Sequence, residues 1–206
     1  GQYFHYLTKW MRSLARTGQL AGDLADGGRY HRWAVELGTV AFERFGHGPG
    51  QEPTHLYWKM SIDLSRPVVP SMGQHDALDG YVTLSTLRDG PGGAVELEES
   101  EAAALDGAID ALARMVEDTD LGTSDPLGAG SLLTDAWLLA RVTEADQPRR
   151  RRILEQVLEA GERSLAAVRR SRLLELPATQ RLAFRELGLA LGLEAIVRLA
   201  GGEAWP

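Results

Sequence analysis

The apolar residues of the C-terminal half return at three- and four-residue spacing, and that period constrains the fold more than any other feature of the chain. Over 98–117 the inward set is Ala104, Ile109, Leu112 and Met115 or Val116. After Asp125-Pro126, which reads as an N-cap followed by proline at the first helical position, come Leu132, Leu133, Ala136, Trp137 and Ala140. Residues 148–170 place Ile153, Leu154, Val157, Leu158, Leu165 and Val168 on one stripe, and 178–200 place Leu182, Leu187, Leu191, Ile196 and Leu199. The same spacing predicts helices over 3–16 (Tyr3, Tyr6, Leu7, Trp10, Met11, Leu14), over 29–45 (Trp33, Leu37, Val40, Ala41, Phe45) and from His75 to Leu87. Seven helices with short connections and almost no strand predict an all-α fold.

Helices that are apolar nearly all round alternate with clearly two-faced ones, the pattern of helical hairpins in which inner helices are covered by outer ones. The acidic helix over 98–117 and the arginine-rich one over 148–172 read as outer. The run Arg149 to Arg152 is interleaved with Glu155, Glu159 and Glu162, which makes it a solvated face rather than an RNA site. At 206 residues the chain is long enough for one sizeable domain, read here as a cleft-forming part over 1–90 and amphipathic hairpins over 91–206, divided by the break Asp89-Gly-Pro-Gly-Gly93. A net charge of −7 argues against a general nucleic-acid binder, and no apolar run reaches membrane-spanning length. There is no cysteine, which excludes disulfides and thiolate chemistry and fits the reducing cytoplasm.

One stretch departs from the helical rhythm. From Leu56 the chain alternates, with Leu56, Trp58, Met60, Ile62 and Leu64 apolar and Tyr57, Lys59, Ser61 and Asp63 polar or amphipathic, the period of an extended segment with one buried face. Arg66-Pro67 and Val69-Pro70 hold the chain extended, and Ser71-Met72-Gly73 turns it into the next helix. Aromatic residues crowd the first 81 positions, and all five histidines (His5, His31, His47, His55, His75) fall in the first 75.

Tyr3-Phe-His-Tyr-Leu-Thr-Lys-Trp-Met11, Trp58-Lys-Met-Ser-Ile-Asp-Leu64 and Gly73-Gln-His-Asp-Ala-Leu-Asp-Gly80 resemble segments of the six-hairpin, (α/α)6-toroid superfamily, which includes glycoside hydrolases and sugar epimerases of the N-acylglucosamine 2-epimerase type. The resemblance spans residues 1–90 and lies in the style of the segments, aromatic-rich inner helices that begin at a central cleft. It implies a carbohydrate-active protein. It also implies that the chain is the C-terminal half of a longer one, because a full toroid has twelve helices.

Three groups of residues carry candidate chemistry. His75, Asp76 and Asp79 open a helix as catalytic candidates. The two acids share a face and either line a polar cleft or cap and stabilise the first turn. Lys59 and Asp63, with Arg66 nearby and Tyr57 and Trp58 flanking, form either a sugar-binding wall or an ion pair that fixes the loop. His5 and Trp10 complete the proposed substrate-binding set, with histidine able to act as a general base near neutral pH. No cofactor motif is present, and no two histidines stand at ligand spacing on one helix, so a metal site would need the fold to gather them. The partners expected are a carbohydrate and no nucleic acid or membrane. The alternative reading is a non-catalytic helical interaction protein whose aromatic end self-associates or binds the missing N-terminal half of its own chain.

Overall fold

The computed structural model describes residues 1–21, 27–50, 52–89, 97–144 and 147–201. The fold is all-α, with seven α-helices among the described residues and only short strands. The chain forms two compact units, Gly1–Thr119 and Asp120–Pro206. The boundary expected at 89–93 falls mostly outside the described residues, and the helix after it belongs to the first unit.

The first unit contains β1 (Gln2–Tyr3), α1 (Phe4–Ala21), α2 (Gly27–Phe45), β2 (Gly46–His47), β3 (His55–Leu56), β4 (Lys59–Met60), β5 (Pro67–Val69), α3 (Asp76–Asp89) and α4 (Glu99–Glu117). Helix α1 packs against α2 and α3, and α4 packs against α3 and α2. The hairpins α1/α2 and α3/α4 are thus stacked, with α1 beside α3 and α2 beside α4.

Helix α3 is the centre of this unit. Every residue from Asp76 to Ser85 is buried, as is Leu87. Two glycines allow the close approach. A Cβ on Gly80 would stand 2.8 Å from the Phe4 ring, and one on Gly38 of α2 would stand 2.7 Å from Leu84 Cδ2.

The buried stripes differ in phase from those expected. On α1 the buried set is Phe4, Leu7, Thr8, Met11 and Ala15, while Tyr6 and Trp10 are 57 and 64 % exposed. Thr8 takes an inward place because its hydroxyl meets the Asp79 carboxylate, and this rotates the aromatic residues outward. On α2 the buried residues are His31, Ala34, Val35, Gly38, Ala41 and Phe45, leaving Trp33 and Val40 at the surface. Small residues, rather than Trp33, let α2 come close to its neighbours.

Of the expected buried face of the alternating stretch, only Leu56 and Met60 are buried, while Trp58 is partly exposed and Ile62 lies in solvent. The chain turns over 61–66 instead of continuing. Ser61 N–H donates to Arg66 C=O at 2.9 Å, Leu64 N–H donates to Ser61 C=O at 3.1 Å, and Leu64 takes a left-handed φ of 56°. The turn lets β5 pair antiparallel with β4, which pairs antiparallel with β1, so Pro67 and Val69 extend the ribbon as their prolines require. A second ribbon pairs β2 with β3 and sets His47 opposite His55.

The second unit is built on α5 (Pro126–Ala140), which packs against both α6 (Pro148–Ser171) and α7 (Ala183–Gly201). Asp125 caps α5 as expected, accepting from Gly128 N–H at 3.3 Å with Pro126 in the first turn. Helices α3 and α5 are covered on most sides and α4 and α6 are two-faced, so the alternation seen in the sequence is present. Helix α7 departs from expectation: Leu182, Leu187 and Leu191 are exposed, and its buried residues are Leu189, Gly192 and Ala195. Gly188 and Gly192 bring the backbone of α7 against Gly130 of α5, so the contact line runs through glycines instead of leucines.

Candidate functional site

The candidate residues gather where α1 begins, beside the first turn of α3. Asp79 is buried, and its carboxylate accepts from three side chains of α1. Thr8 Oγ1 donates to Oδ2, while Lys9 Nζ at 2.8 Å and Arg12 Nη2 at 2.6 Å donate to Oδ1. Arg12 also donates to the Asp79 carbonyl at 3.3 Å and, through Nε, to Thr83 Oγ1 at 2.8 Å. Burial raises the Asp79 pKa, but the Arg12 and Lys9 charges and the Lys9 and Thr8 hydrogen bonds outweigh it, so the carboxyl is held below its ordinary value. An acid ionised and enclosed in this way cannot serve as a proton donor. Thr8 and Arg12 were not among the candidates read from the sequence. A buried aspartate requires cations, and α1 supplies two of them one turn apart.

Asp76 is buried too, and one of its oxygens accepts from Gly73 N–H at 3.1 Å while its own N–H donates to Gly73 C=O at 3.1 Å. This reciprocal pair closes the turn before α3 and requires residue 73 to be small, since a Cβ there would stand within 2.8 Å of the carboxylate carbon. The other oxygen faces His5 Nδ1 at 3.7 Å. His75 is half-buried at the same turn, and its carbonyl accepts Asp79 N–H at 2.9 Å.

His5 belongs to an aromatic cluster. Its ring centre lies 4.4 Å from Tyr6 and 5.8 Å from Tyr3, and Tyr3 in turn lies 5.2 Å from Tyr6 and 5.4 Å from Trp58. Lys59 Nζ sits 4.7 Å from the Tyr3 ring centre, a cation–π contact. Pairing of β1 with β4 creates this cluster by placing Tyr3 opposite Lys59. Tyr6, Lys9, Trp10 and Ser13 line an open depression of about 310 Å³ on the same helix.

The structure brings together His5, Trp58, Lys59, Asp76 and Asp79, with Tyr3 and Tyr6 added. It sets Asp63, Arg66 and Tyr57 apart from them. Asp63 is fully exposed and accepts from Ser61 Oγ at 2.6 Å and from Ser65 Oγ at 2.9 Å, which with the Ser65 N–H lower its pKa to about 2. Those bonds shape the 61–66 turn, while Lys59 is engaged with Tyr3. Arg66 is exposed and contributes backbone groups to the turn. Tyr57 stacks on His47, with ring centres 3.8 Å apart and planes 1° from parallel.

Among the described residues no group of three or more His, Asp or Glu converges as a metal cage, and no helix is long and apolar enough to cross a membrane. No family model, curated protein or solved structure matches the chain.

Proposed function

We propose that the chain is a carbohydrate-active protein of the (α/α)-toroid kind, and that it acts on its sugar by proton transfer, as an epimerase or isomerase would, rather than by hydrolysis. The sugar ring stacks on the Tyr3, Tyr6 and Trp58 platform, with Lys59 available to its hydroxyls. His5 is the general base and Asp76 the positioning residue that holds the imidazole. The observation that carries this reading is the placement of His5 between a buried carboxylate and exposed aromatic faces. A base needs an orienting partner on one side and room for substrate on the other. Hydrolysis is disfavoured because it requires two carboxylates astride a glycosidic bond, one of them able to give up a proton, and Asp79 is locked as an anion. The stacking of hairpins α1/α2 and α3/α4 supports the toroid reading of the first unit.

The test incubates the full chain in deuterium oxide with a panel of aldoses and N-acyl amino sugars and follows deuterium entry at C2 by NMR. Exchange should occur with one sugar class, vanish in His5→Ala and fall in Asp76→Asn. If no sugar exchanges and none shows saturation transfer to the protein, the reading fails. The exposed Tyr6 and Trp10 would then favour an interaction surface, with self-association by sedimentation as its signature.

A further inference from the structure

The fold pairs two histidines that the sequence leaves eight residues apart. His47 on β2 and His55 on β3 are direct cross-strand partners, so their side chains leave the same face of the ribbon. Their ring centres are 5.9 Å apart. A metal ion sits about 2.0–2.1 Å from an imidazole nitrogen, and hence about 3.2 Å from the ring centre, so two rings sharing one ion have centres no more than about 6.5 Å apart. The pair is within that limit with no change of backbone.

The protonation pattern also suits ligation. His47 Nδ1 lies 3.5 Å from the Phe45 carbonyl oxygen, which can only accept, and this puts the proton on Nδ1 and leaves the Nε2 lone pair open. His55 Nδ1 lies 2.9 Å from Thr54 Oγ1, and with Nδ1 as the donor of that bond its Nε2 is open to an ion. Metal-binding histidines are oriented in this manner, with one nitrogen on an oxygen partner and the other on the ion. Parallel stacking on Tyr57 fixes the His47 ring plane. Glu43, one turn before His47 on α2, lines the same hollow as His47 and adds negative charge near it.

We infer that His47 and His55 form a bis-imidazole site for a divalent transition ion of the imidazole-preferring kind, Cu(II), Ni(II) or Zn(II), with water completing the coordination. Hard cations such as Mg(II) are excluded, because they select oxygen donors. An ion held here ties β2 to β3, and β3 leads directly into the segment bearing Trp58 and Lys59.

The test uses the untagged full chain, stripped of metal with a chelator and titrated with Zn(II) and Ni(II) against an indicator, with Cu(II) followed by electron paramagnetic resonance. One equivalent should bind, Cu(II) should show coupling to two nitrogens, and Mg(II) should not compete. His55→Ala, a change at an exposed position, should weaken binding at least tenfold and remove the rise in Tm that Zn(II) gives the parent chain. His47→Gln should do the same while keeping a planar group against Tyr57, and His5→Ala should bind as the parent does. Unchanged affinity in His55→Ala, or Cu(II) coupled to fewer than two nitrogens, would overturn the assignment. If His47→Gln does not fold, the His55→Ala result decides.

Discussion

Arg12 on α1 and Asp79 on α3 meet at 2.6 Å, and the same guanidinium reaches Thr83 one turn further along α3. Each helix therefore fixes the rotation of the other through charge, in addition to the apolar contact of Phe4 at Gly80.

Removing the acid should be expensive. Asp79→Ala removes the carboxylate that Arg12 meets at a mostly buried position and should cost about 3 kcal/mol, the lower end for a broken buried pair because Lys9 still reaches water. Lys9→Ala, at a half-exposed position, should cost under about 1 kcal/mol. Urea unfolding of both variants checks the difference. The Asp79 carboxyl titrates lower in the folded state than its ordinary 3.8, so its contribution is complete above that value and is lost as pH falls through the folded value. Asp79→Asn should flatten this acid limb of the stability profile.

His31 should titrate below the ordinary histidine value of 6.5. Burial lowers its pKa from 6.5, the hydrogen bond to the Leu87 backbone raises it by less, and its Nε2 is buried without a partner among the described residues. The unfolded chain takes up this proton more readily. Stability from the neutral ring is complete above about pH 6.5 and declines as pH falls toward the folded value. NMR titration should place the His31 midpoint below 6.5, and His31→Gln should remove this part of the pH dependence.

Asp63 should titrate at about 2 despite being fully exposed, because Ser61 and Ser65 donate to its ionised form. Ser61→Ala should move the carboxyl back toward 3.8, as read by carbon-13 chemical shift against pH. An unchanged midpoint would show that the 61–66 turn does not hold Asp63 in solution.

Gly130 of α5 lies against Gly188 and Gly192 of α7: a Cβ on Gly130 would run into the Gly188 backbone, and one on Gly192 into the Gly130 backbone. Gly130→Ala and Gly192→Ala should each cost about 1–3 kcal/mol through overpacking. Gly107 on α4 has open space around it, and Gly107→Ala should stabilise by about 0.5–1 kcal/mol through helix propensity. Thermal unfolding of the three single variants separates the two effects.

The helices and their alternation of covered and two-faced members were legible in the sequence because the 3.6-residue period survives changes of partner. Their phase was less so. Tyr6, Trp10 and Trp33 fit an apolar stripe by spacing, yet the inward places went to Thr8, His31, Ala34 and Gly38, chosen by a buried carboxylate and by close helix approach. The grouping of His5, Asp76 and Asp79 was foreshadowed by their positions at helix starts. The Asp79 partners Thr8 and Arg12 depend on contacts between distant segments that no local pattern encodes, and the His47–His55 pair depends on the register of the β2–β3 ribbon. Lys59 and Asp63 do not pair, because Asp63 is held by Ser61 and Ser65 in the 61–66 turn while Lys59 lies over Tyr3.

Because α3 has no side of its own open to water between Asp76 and Ser85, it offers the surroundings nothing along its length. Only the groups around its first turn adjoin the exposed aromatic residues, so the proposed site touches α3 at one end alone. Changes further along that helix should act on the stability of the unit and not directly on the proposed site.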